Sequence, residues 1–336
     1  MRIFVYEHIT GGGCASEALP WALLPEASLM LRALVSDLRA IPNTEVVGMR
    51  DERVAPALGD WQQRVVCDRP TWEAGFSALL RNAEATWLIA PETGGVLEQL
   101  SARVVASGRV LLGSRPAAVA IAGSKLATAR ALGEAGVAVV PTWRPGEAGI
   151  AGRCVVKPDD GCGCGDTRRF PSVTAARSWI ATQADPERFV VQPHVTGGAM
   201  SLSVLAGTGG GELLSVNRQR IELRDDLFEF GGCVVNAVAD ADGKLARLAE
   251  QTLAAIPGLW GYVGIDVLLA PRGPIVVEVN PRLTTSYAGL HPAIGVNPAQ
   301  LVLDLLRRRQ RVRAPAPTAR SVEIDLKVEP LTWDRA

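Results

Sequence analysis

In the first third of the chain, short apolar runs alternate with longer segments whose apolar residues recur every three or four positions. The apolar runs predict strands, which lie at residues 2–9, 44–50, 85–92 and 109–114. The longer segments predict helices at residues 26–38, 71–83 and 95–107. Strands that alternate with helices indicate a parallel sheet covered on both faces. We therefore expect a doubly wound α/β domain over residues 1–113.

After residue 113 the strands follow one another with fewer helices between them. Strands are predicted at residues 137–142, 153–157, 188–193, 201–206, 212–220, 262–269 and 274–280. Helices are predicted at residues 124–136, 174–184, 244–255 and 298–309. Such a mixture indicates an α+β region that is separate from the N-terminal sheet. Residues 313–336 read as a linker rich in proline and alanine, followed by a last strand at 321–328.

Composition narrows the class of protein. The chain has 336 residues, of which 48% are apolar and 21% are charged, as in globular proteins with a substantial core. Thirty-five basic residues balance thirty-five acidic ones, so a nucleic acid or an anionic membrane is a poor choice of partner. No apolar run reaches the roughly 18 residues of a spanning helix, and the N-terminus lacks the pattern of a secretory peptide. We expect a cytoplasmic protein.

The cysteines and histidines do not form a recognisable metal site. Six cysteines and three histidines are scattered along the chain without a C-x-x-C pair, which argues against zinc. The closest pair, Cys162 and Cys164, lies between glycines. We interpret this pair as small loop residues, with redox chemistry as the alternative.

The clearest chemical signal is a pair of acidic residues on the two predicted strands that flank Arg272. If these strands form an antiparallel hairpin centred on Arg272, Asp266 lies opposite Glu278. Such partners are about 4.5–5.5 Å apart, and like charges there repel each other. Asn280 shares the face of Glu278, and two carboxylates with an amide oxygen suit Mg²⁺ or Mn²⁺. The alternative is a solvated acidic face, but the flanking residues are mostly apolar.

A second signal follows the predicted strand that ends at Lys157. The loop after it contains Gly161, Gly163 and Gly165. A lysine beside such a loop can present its ammonium group and several backbone N–H groups to a polyphosphate. Glycine-rich turns also join ordinary hairpins, so the loop alone is weakly specific. The chain has only four lysines, and Lys125 is a second candidate cation for the same nucleotide.

A third signal is an apolar strand that ends at Gln192, whose amide and backbone groups could meet an adenine edge. In chain order, these segments resemble the ATP-grasp superfamily of carboxylate–amine ligases. The matching segments are Ser124-Lys125, Lys157-Pro158 with the glycine-rich loop, Val190-Val191-Gln192, Asp266 and Glu278-Val279-Asn280-Pro281-Arg282.

The resemblance implies a division of labour among these residues. It implies that ATP is held by Lys125, Lys157, Gln192 and the loop glycines Gly161, Gly163 and Gly165. It implies that the divalent cation is held by Asp266, Glu278 and Asn280. Arg282 would then face the transferred phosphoryl group. The implied fold is an N-terminal doubly wound domain at 1–113 and a two-lobed ATP-grasp domain at 114–312, with a lid lobe at about 114–190 and a larger lobe at about 191–312.

A narrower resemblance concerns the tyramine–glutamate ligase group of methanofuran-type cofactor synthesis. It rests on the segments FVYEHITGGG, APETGG, KPDDGCGCGDT, SVNRQ and VNPRLTTS. It implies that the γ-carboxylate of glutamate is joined to a phenolic amine such as tyramine.

The implied reaction phosphorylates a substrate carboxylate and then lets an amine displace the phosphate. For the substrates we predict Arg218 and Arg220, which share one face of a predicted strand, as catalytic residues. Ser286, Glu7 and Glu92 are predicted to contact substrate. Two other readings stay open: another ATP-grasp chemistry, such as a peptide ligase or a carboxylase, and a non-catalytic nucleotide-binding protein. The sequence also leaves open whether the chain forms a homodimer.

Overall fold

The computed structural model describes residues 1–54, 61–161, 163–308 and 320–326. Its strands form a five-stranded sheet and a nine-stranded sheet. All pairings in the first sheet are parallel, and all pairings in the second are antiparallel. The predicted fold class is therefore confirmed. Within these residues, no helix is long and apolar enough to cross a membrane.

The five-stranded sheet contains the N-terminal strands. They are β1 (Arg2–Glu7), β2 (Glu45–Asp51), β3 (Gln62–Val66), β4 (Ala85–Ile89) and β5 (Val110–Leu111), in the spatial order β3-β2-β1-β4-β5. The helices are α1 (Leu24–Arg39), α2 (Arg69–Asn82) and α3 (Val96–Ala106). The central strand β1 is buried on both faces, which explains its almost unbroken apolar run. The carboxyl ends of β1 and β4 carry Glu7 and the turn Thr93–Gly95.

The nine-stranded sheet follows two short helices, α4 (Pro116–Ala122) and α5 (Lys125–Glu134). Its strands are β6 (Cys154–Pro158), β7 (Arg168–Phe170), β8 (Phe189–Pro193), β9 (Gly198–Gly207), β10 (Gly210–Arg224), β11 (Leu227–Val238), β12 (Gly261–Ala270), β13 (Gly273–Asn280) and β14 (Val322–Asp325). The helices are α6 (Val173–Ile180), α7 (Lys244–Ala255), α8 (Tyr287–Ile294) and α9 (Pro298–Arg308). The spatial order is β13-β12-β9-β10-β11-β7-β6-β8, and β14 pairs with β11.

One hydrophobic cluster contains residues from both parts of the chain. Leu31 and Leu34 of α1 belong to the same buried cluster as Leu290 of α8 and Leu303 of α9. The N-terminal helix α1 is therefore held against C-terminal helices by apolar burial, the main favourable term in folding. The domain limits at 113/114 and 312/313 stay predictions.

The hairpin of β12 and β13 places Asp266 opposite Glu278, as predicted. Asn280 lies opposite Gly264 in the same register. The ladder shifts by one residue after Asp266, so that Val267 faces Val276 and the turn closes between Ala270 and Gly273. The predicted register is therefore correct from Asp266 away from the turn and wrong beside the turn. A bulge of this kind adds one residue to one strand and changes the direction of its side chains.

Several elements differ from the sequence predictions. The patterns do not predict β3, α4, β7, β11 or α8; β3 is a polar edge strand, and α8 contains Pro292. Residues 137–142 do not form the predicted strand, and Val139 makes only an isolated bridge to Val276. Pro141, within that segment, has no N–H to donate to a ladder. The last strand is Val322–Asp325; residues 327–328 and most of the linker lie outside the described residues.

Candidate active site

A cleft of about 480 Å³ is lined by residues of β6, β8 and the long strands β9 to β13. Most of the predicted site residues line it, namely Lys125, Lys157, Gly161, Gly163, Gly165, Gln192, Asp266, Glu278, Asn280, Arg282 and Ser286. Four predicted residues are not part of its lining: Arg218, Arg220, Glu7 and Glu92. The fold thus gathers segments that are distant in sequence into one site.

The two carboxylates of the hairpin have opposite electrostatic environments. Burial and the nearby Glu278 raise the pKa of Asp266 well above its usual value. Burial also disfavours the charge of Glu278, but the ammonium groups of Lys125 and Lys157 outweigh burial and lower its pKa. Gln219 Nε2 donates a 3.0 Å hydrogen bond to Asp266 Oδ1. The pair therefore resists holding two negative charges unless a cation joins it.

The donor set of this pair fits a hard divalent cation. Asn280 Nδ2 lies 3.4 Å from Asp266 Oδ2, so an amide group accompanies the two carboxylates. Oxygen ligands of this type suit Mg²⁺ and Mn²⁺. In the part of the chain that the structure describes, no cluster of three His, Cys, Asp or Glu side chains offers another metal site.

Both predicted nucleotide lysines are buried beside the carboxylates. Lys125 Nζ lies 3.5 Å from Glu278 Oε2 and donates a 2.5 Å hydrogen bond to the carbonyl oxygen of Gly161. Lys157 is only 6% exposed, and burial lowers its pKa to about 8 despite the opposing effect of Glu278. A buried ammonium group without a full complement of counter-charges attracts an anionic ligand.

Asp159, which the sequence reading missed, fixes the start of α5 beside Lys125. Its carboxylate accepts hydrogen bonds from Ser124 Oγ at 2.9 Å and from the backbone N–H of Leu126 at 2.9 Å. Arg144 Nη2 lies 3.1 Å from the same carboxylate. A carboxylate at a helix N-terminus is stabilised by the free N–H groups there. The only signal in the sequence is an acidic residue directly after Lys157-Pro158.

The glycine-rich loop is attached to the N-terminal sheet. The backbone N–H of Gly94 donates to Asp160 Oδ2 at 2.9 Å, and Thr93 Oγ1 donates to the carbonyl oxygen of Asp160 at 2.9 Å. Gly163 has a φ of +63°, a conformation that glycine adopts without strain. Burial raises the pKa of the Cys164 thiol to about 12, which makes this cysteine a poor nucleophile. Cys162 lies outside the described residues.

Arg282 is held by an acidic residue of the N-terminal sheet. Its Nη2 atom lies 2.8 Å from Glu92 Oε2, and the side chains are 11% and 7% exposed. Glu7 instead closes its own loop: it accepts hydrogen bonds from the backbone N–H of Ile9 and from both the N–H and hydroxyl of Thr10. Neither Glu7 nor Glu92 lines the cleft, and each carboxylate already has partners inside the protein, so a contact of either residue with substrate stays a prediction.

Arg218 and Arg220, predicted as catalytic residues, do not line the cleft either, and their contact with substrate stays a prediction. Arg220 pairs with Glu323 and Asp325 of β14, and Arg218 is exposed. The residue between them, Gln219, lines the cleft instead. Alternate residues of a strand point to opposite faces, and the packing of β10 in the sheet turns the other face toward the cleft.

Gln192 and Ser286 line the cleft but already have partners. Gln192 Nε2 donates a 2.8 Å hydrogen bond to Thr142 Oγ1. The hydroxyl of Ser286 lies 3.1 Å from the Tyr262 hydroxyl and 3.0 Å from the Thr284 hydroxyl. Buried polar groups that bond each other fix the shape of a site. Pro193, His194 and Val195, which follow Gln192, also line the cleft.

Comparisons with known proteins agree with this architecture. The chain matches a pre ATP-grasp 3 domain over residues 44–119 and an ATP-grasp domain over residues 122–286. An ATP-grasp superfamily protein of known structure from Archaeoglobus fulgidus is 23% identical, with a TM-score of 0.73 and coverage of 90% of this chain and 88% of that chain.

Two curated relatives are more similar in sequence. A tyramine–L-glutamate ligase of Methanocaldococcus jannaschii is 31% identical over 209 residues, which is 62% of this chain and 59% of that protein. This alignment thus spans less than two thirds of that relative. A tyramine–L-glutamate ligase of Methanocaldococcus fervens is 27% identical over 293 residues, which is 86% of this chain and 89% of that protein. The chain therefore contains a pre ATP-grasp domain followed by an ATP-grasp domain, in agreement with its two sheets, its buried lysines and its facing carboxylates.

Proposed function

We propose that this chain is an ATP-dependent ligase that activates a substrate carboxylate as an acyl phosphate and joins it to an amine. The observation that carries the proposal is the cleft in which Asp266 and Glu278 face each other beside two buried lysines. This arrangement supports the transfer of a phosphoryl group, because such reactions require positioning and charge neutralisation more than covalent help. The relatives of this chain support amide formation as the outcome.

Each group of the cleft has a defined task in this proposal. Lys125 and Lys157 bind the triphosphate. On binding, Lys125 exchanges its hydrogen bond to the carbonyl oxygen of Gly161 for contacts with phosphate oxygens. Asp266, Glu278 and Asn280 hold Mg²⁺. When bound, this cation neutralises charge on the phosphate oxygens. The backbone groups after Gln192 form hydrogen bonds with the edge of the adenine ring.

The chemical steps follow from these positions. A carboxylate oxygen of the first substrate attacks the γ-phosphorus of ATP, and ADP leaves. The amine nitrogen then attacks the acyl carbon, inorganic phosphate leaves with the electron pair of the C–O bond, and the nitrogen gives up a proton. Arg282 faces the transferred phosphoryl group, and its contact with Glu92 keeps the guanidinium from turning away. The glycine-rich loop shields the acyl phosphate from water.

The names of the two tyramine–L-glutamate ligases support the substrates that we propose for this chain. The carboxylate donor is glutamate through its γ-carboxylate, and the acceptor is tyramine or a closely similar arylalkyl amine. The product is then a γ-glutamyl amide.

A coupled assay of ADP release tests the proposal. Purified protein with Mg-ATP is offered glutamate together with tyramine, tyrosine or other amino acids, and the conjugate is identified by mass spectrometry. We expect ADP release that requires both glutamate and an amine, together with one equivalent of γ-glutamyl amide.

Other results would replace this proposal with another. Conjugates between two amino acids would indicate a peptide ligase, and ADP release that depends on bicarbonate would indicate a carboxylase. Nucleotide binding without turnover under any of these conditions would indicate a non-catalytic protein.

A further inference from the structure

Glu26, which the sequence reading did not single out, reaches the cleft from the N-terminal helix α1. It lies in the first turn of this helix and lines the cleft together with Thr285 and Ser286. The hydroxyl of Thr285 donates a hydrogen bond to Glu26 Oε1. The apolar side of α1, which includes Leu31 and Leu34, packs into the core. The packing of α1 in the core therefore holds the Glu26 carboxylate at the cleft.

Unlike Glu278, the other glutamate that lines the cleft, Glu26 has no cationic partner among the described residues. Glu278 is paired with Lys125, and Glu92 is paired with Arg282. Among the described residues, no lysine, arginine or histidine forms an ion pair with Glu26. An acidic group that faces a cleft without a counter-charge favours a cationic ligand there.

Part of the wall of this cleft is apolar. The cleft is lined by Ile221, Phe230 and Cys233 on the adjacent strands β10 and β11. Burial raises the pKa of the Cys233 thiol to about 12, with smaller contributions from Arg220, which opposes the shift, and from Glu26 and Asp266, which add to it. Cys233 lies opposite Gln219 in the ladder of β10 and β11, and Gln219 bonds Asp266, so this thiol is on the side of the cleft that carries the two facing carboxylates.

We propose that Glu26 binds the ammonium group of the acceptor amine, while the apolar wall formed by Ile221, Phe230 and Cys233 receives its aromatic body. This inference rests on the proposed function, and it names the residue that selects the second substrate. Glutamate also carries an ammonium group, but it brings two carboxylates, which the charge of Glu26 repels. An arylalkyl ammonium ion carries one positive charge and an apolar ring, which matches this part of the cleft.

The variant Glu26→Gln removes the charge and keeps the shape of the side chain. We expect the KM for tyramine to rise about tenfold or more, because a hydrogen bond to a charged group is lost, while the KM values for ATP and glutamate stay within about twofold. Glu17→Gln is the matched control, because Glu17 is exposed on the segment that precedes α1 and does not line the cleft. Glu26→Asp, which retains the charge, should restore part of the affinity for tyramine.

A binding measurement separates this inference from the proposed function. Calorimetric titration with tyramine and with 4-(2-hydroxyethyl)phenol, which lacks the amine, reports on Glu26 without turnover. We expect the wild type to prefer tyramine and Glu26→Gln to lose this preference. If the wild type makes no amide, the proposed function fails, yet the titration still tests Glu26.

Two results would overturn the role of Glu26. One is an unchanged preference for tyramine in a folded Glu26→Gln variant. The other is a rise in the KM for glutamate in place of that for tyramine. If Glu26→Gln does not fold, the same comparison is made with Glu26→Ala, which also lacks the charge and places no amide at the cleft.

Discussion

The two sheets place their polar residues in different ways. In the parallel sheet, the central strand β1 is buried on both faces, and its acidic residue Glu7 stands at the carboxyl end. In the antiparallel sheet, polar side chains such as Ser201, Gln219 and Asp266 share the face that lines the cleft. A parallel sheet whose two faces are covered by helices offers a ligand only the ends of its strands, whereas an antiparallel sheet can present one face to a ligand.

The difference separates residues that contact substrates from residues that position them. Glu92, from the loop after β4, holds Arg282, and the neighbouring Thr93 and Gly94 hold Asp160 of the glycine-rich loop. Changes on the face of the antiparallel sheet should therefore abolish chemistry. Changes at the strand ends of the parallel sheet should lower the activity less, because Arg282 and the glycine-rich loop are then still present but misplaced.

The largest effect is expected for Glu278→Gln, on the face of the antiparallel sheet. The variant loses a charged ligand of the cation and a partner of Lys125, so kcat should fall about 100-fold or more. The fold should persist, because the repulsion between Asp266 and Glu278 is removed at the same time. Turnover with Mg-ATP and thermal unfolding are the measurements, with the exposed Glu229→Gln as control. Turnover within about threefold of wild type would contradict the metal assignment.

A smaller loss is expected for Glu92→Gln, at a strand end of the parallel sheet. The neutral amide holds Arg282 less firmly, so kcat should fall about tenfold, whereas the KM for ATP should change little. Glu92→Asp should recover part of kcat, since the charge is retained. An equal loss in both variants, with a raised KM for ATP, would instead place Glu92 in the nucleotide site.

A pH effect is expected at Lys157, whose pKa burial lowers to about 8. The lysine is charged below this value and loses its proton as the pH rises, so the affinity for ATP should fall at alkaline pH. Between pH 7 and pH 9 the Kd should increase about tenfold if only the charged form binds. Lys157→Arg keeps its charge throughout and should lack this change. Calorimetric titration with Mg-ATP checks both proteins, and a parallel pH dependence in the two would contradict the assignment.

The smallest effect on turnover is expected for Tyr287→Phe, which lies between the two sheets. Tyr287 is buried, and its hydroxyl donates a 3.0 Å hydrogen bond to Asp37 of α1. His291 Nδ1 lies 2.6 Å from the same carboxylate. Removal of the hydroxyl should lower the free energy of unfolding by about 1 kcal/mol and leave kcat within about twofold. Urea denaturation and the ligase assay are the measurements. A tenfold change in the KM for the amine would show that Tyr287 contacts substrate.

Features with a local cause could be predicted from the sequence. The hairpin that carries Asp266 and Glu278 follows from two apolar strands joined by a short turn. Their pairing also requires the bulge, because the turn between Ala270 and Gly273 would by itself place Asp266 opposite Val277. Lys157 and the glycines after it are neighbours along the chain. The bulge beside the turn could not be predicted, because the extra residue of β13, Val277, is an ordinary strand residue and no glycine marks the position.

Features that depend on strand direction or on distant contacts could not be predicted. The sequence shows that Arg218 and Arg220 share one face of β10, but not that Gln219 is the residue facing the cleft. Glu92 and Arg282 are separated by 190 positions, and Glu26 and Thr285 by 259 positions. No local pattern links such pairs, because their contact requires the packing of both sheets.

The sequence by itself determined the alternation of elements, the hairpin that carries both carboxylates and the order of the nucleotide-binding segments, because these depend on periodicity and on short turns. Only the tertiary structure decided which face of each strand lines the cleft and which acidic residues keep a free charge. Burial and ion pairing set those outcomes, and both depend on residues that meet only after the core formed by α1, α8 and α9 has closed.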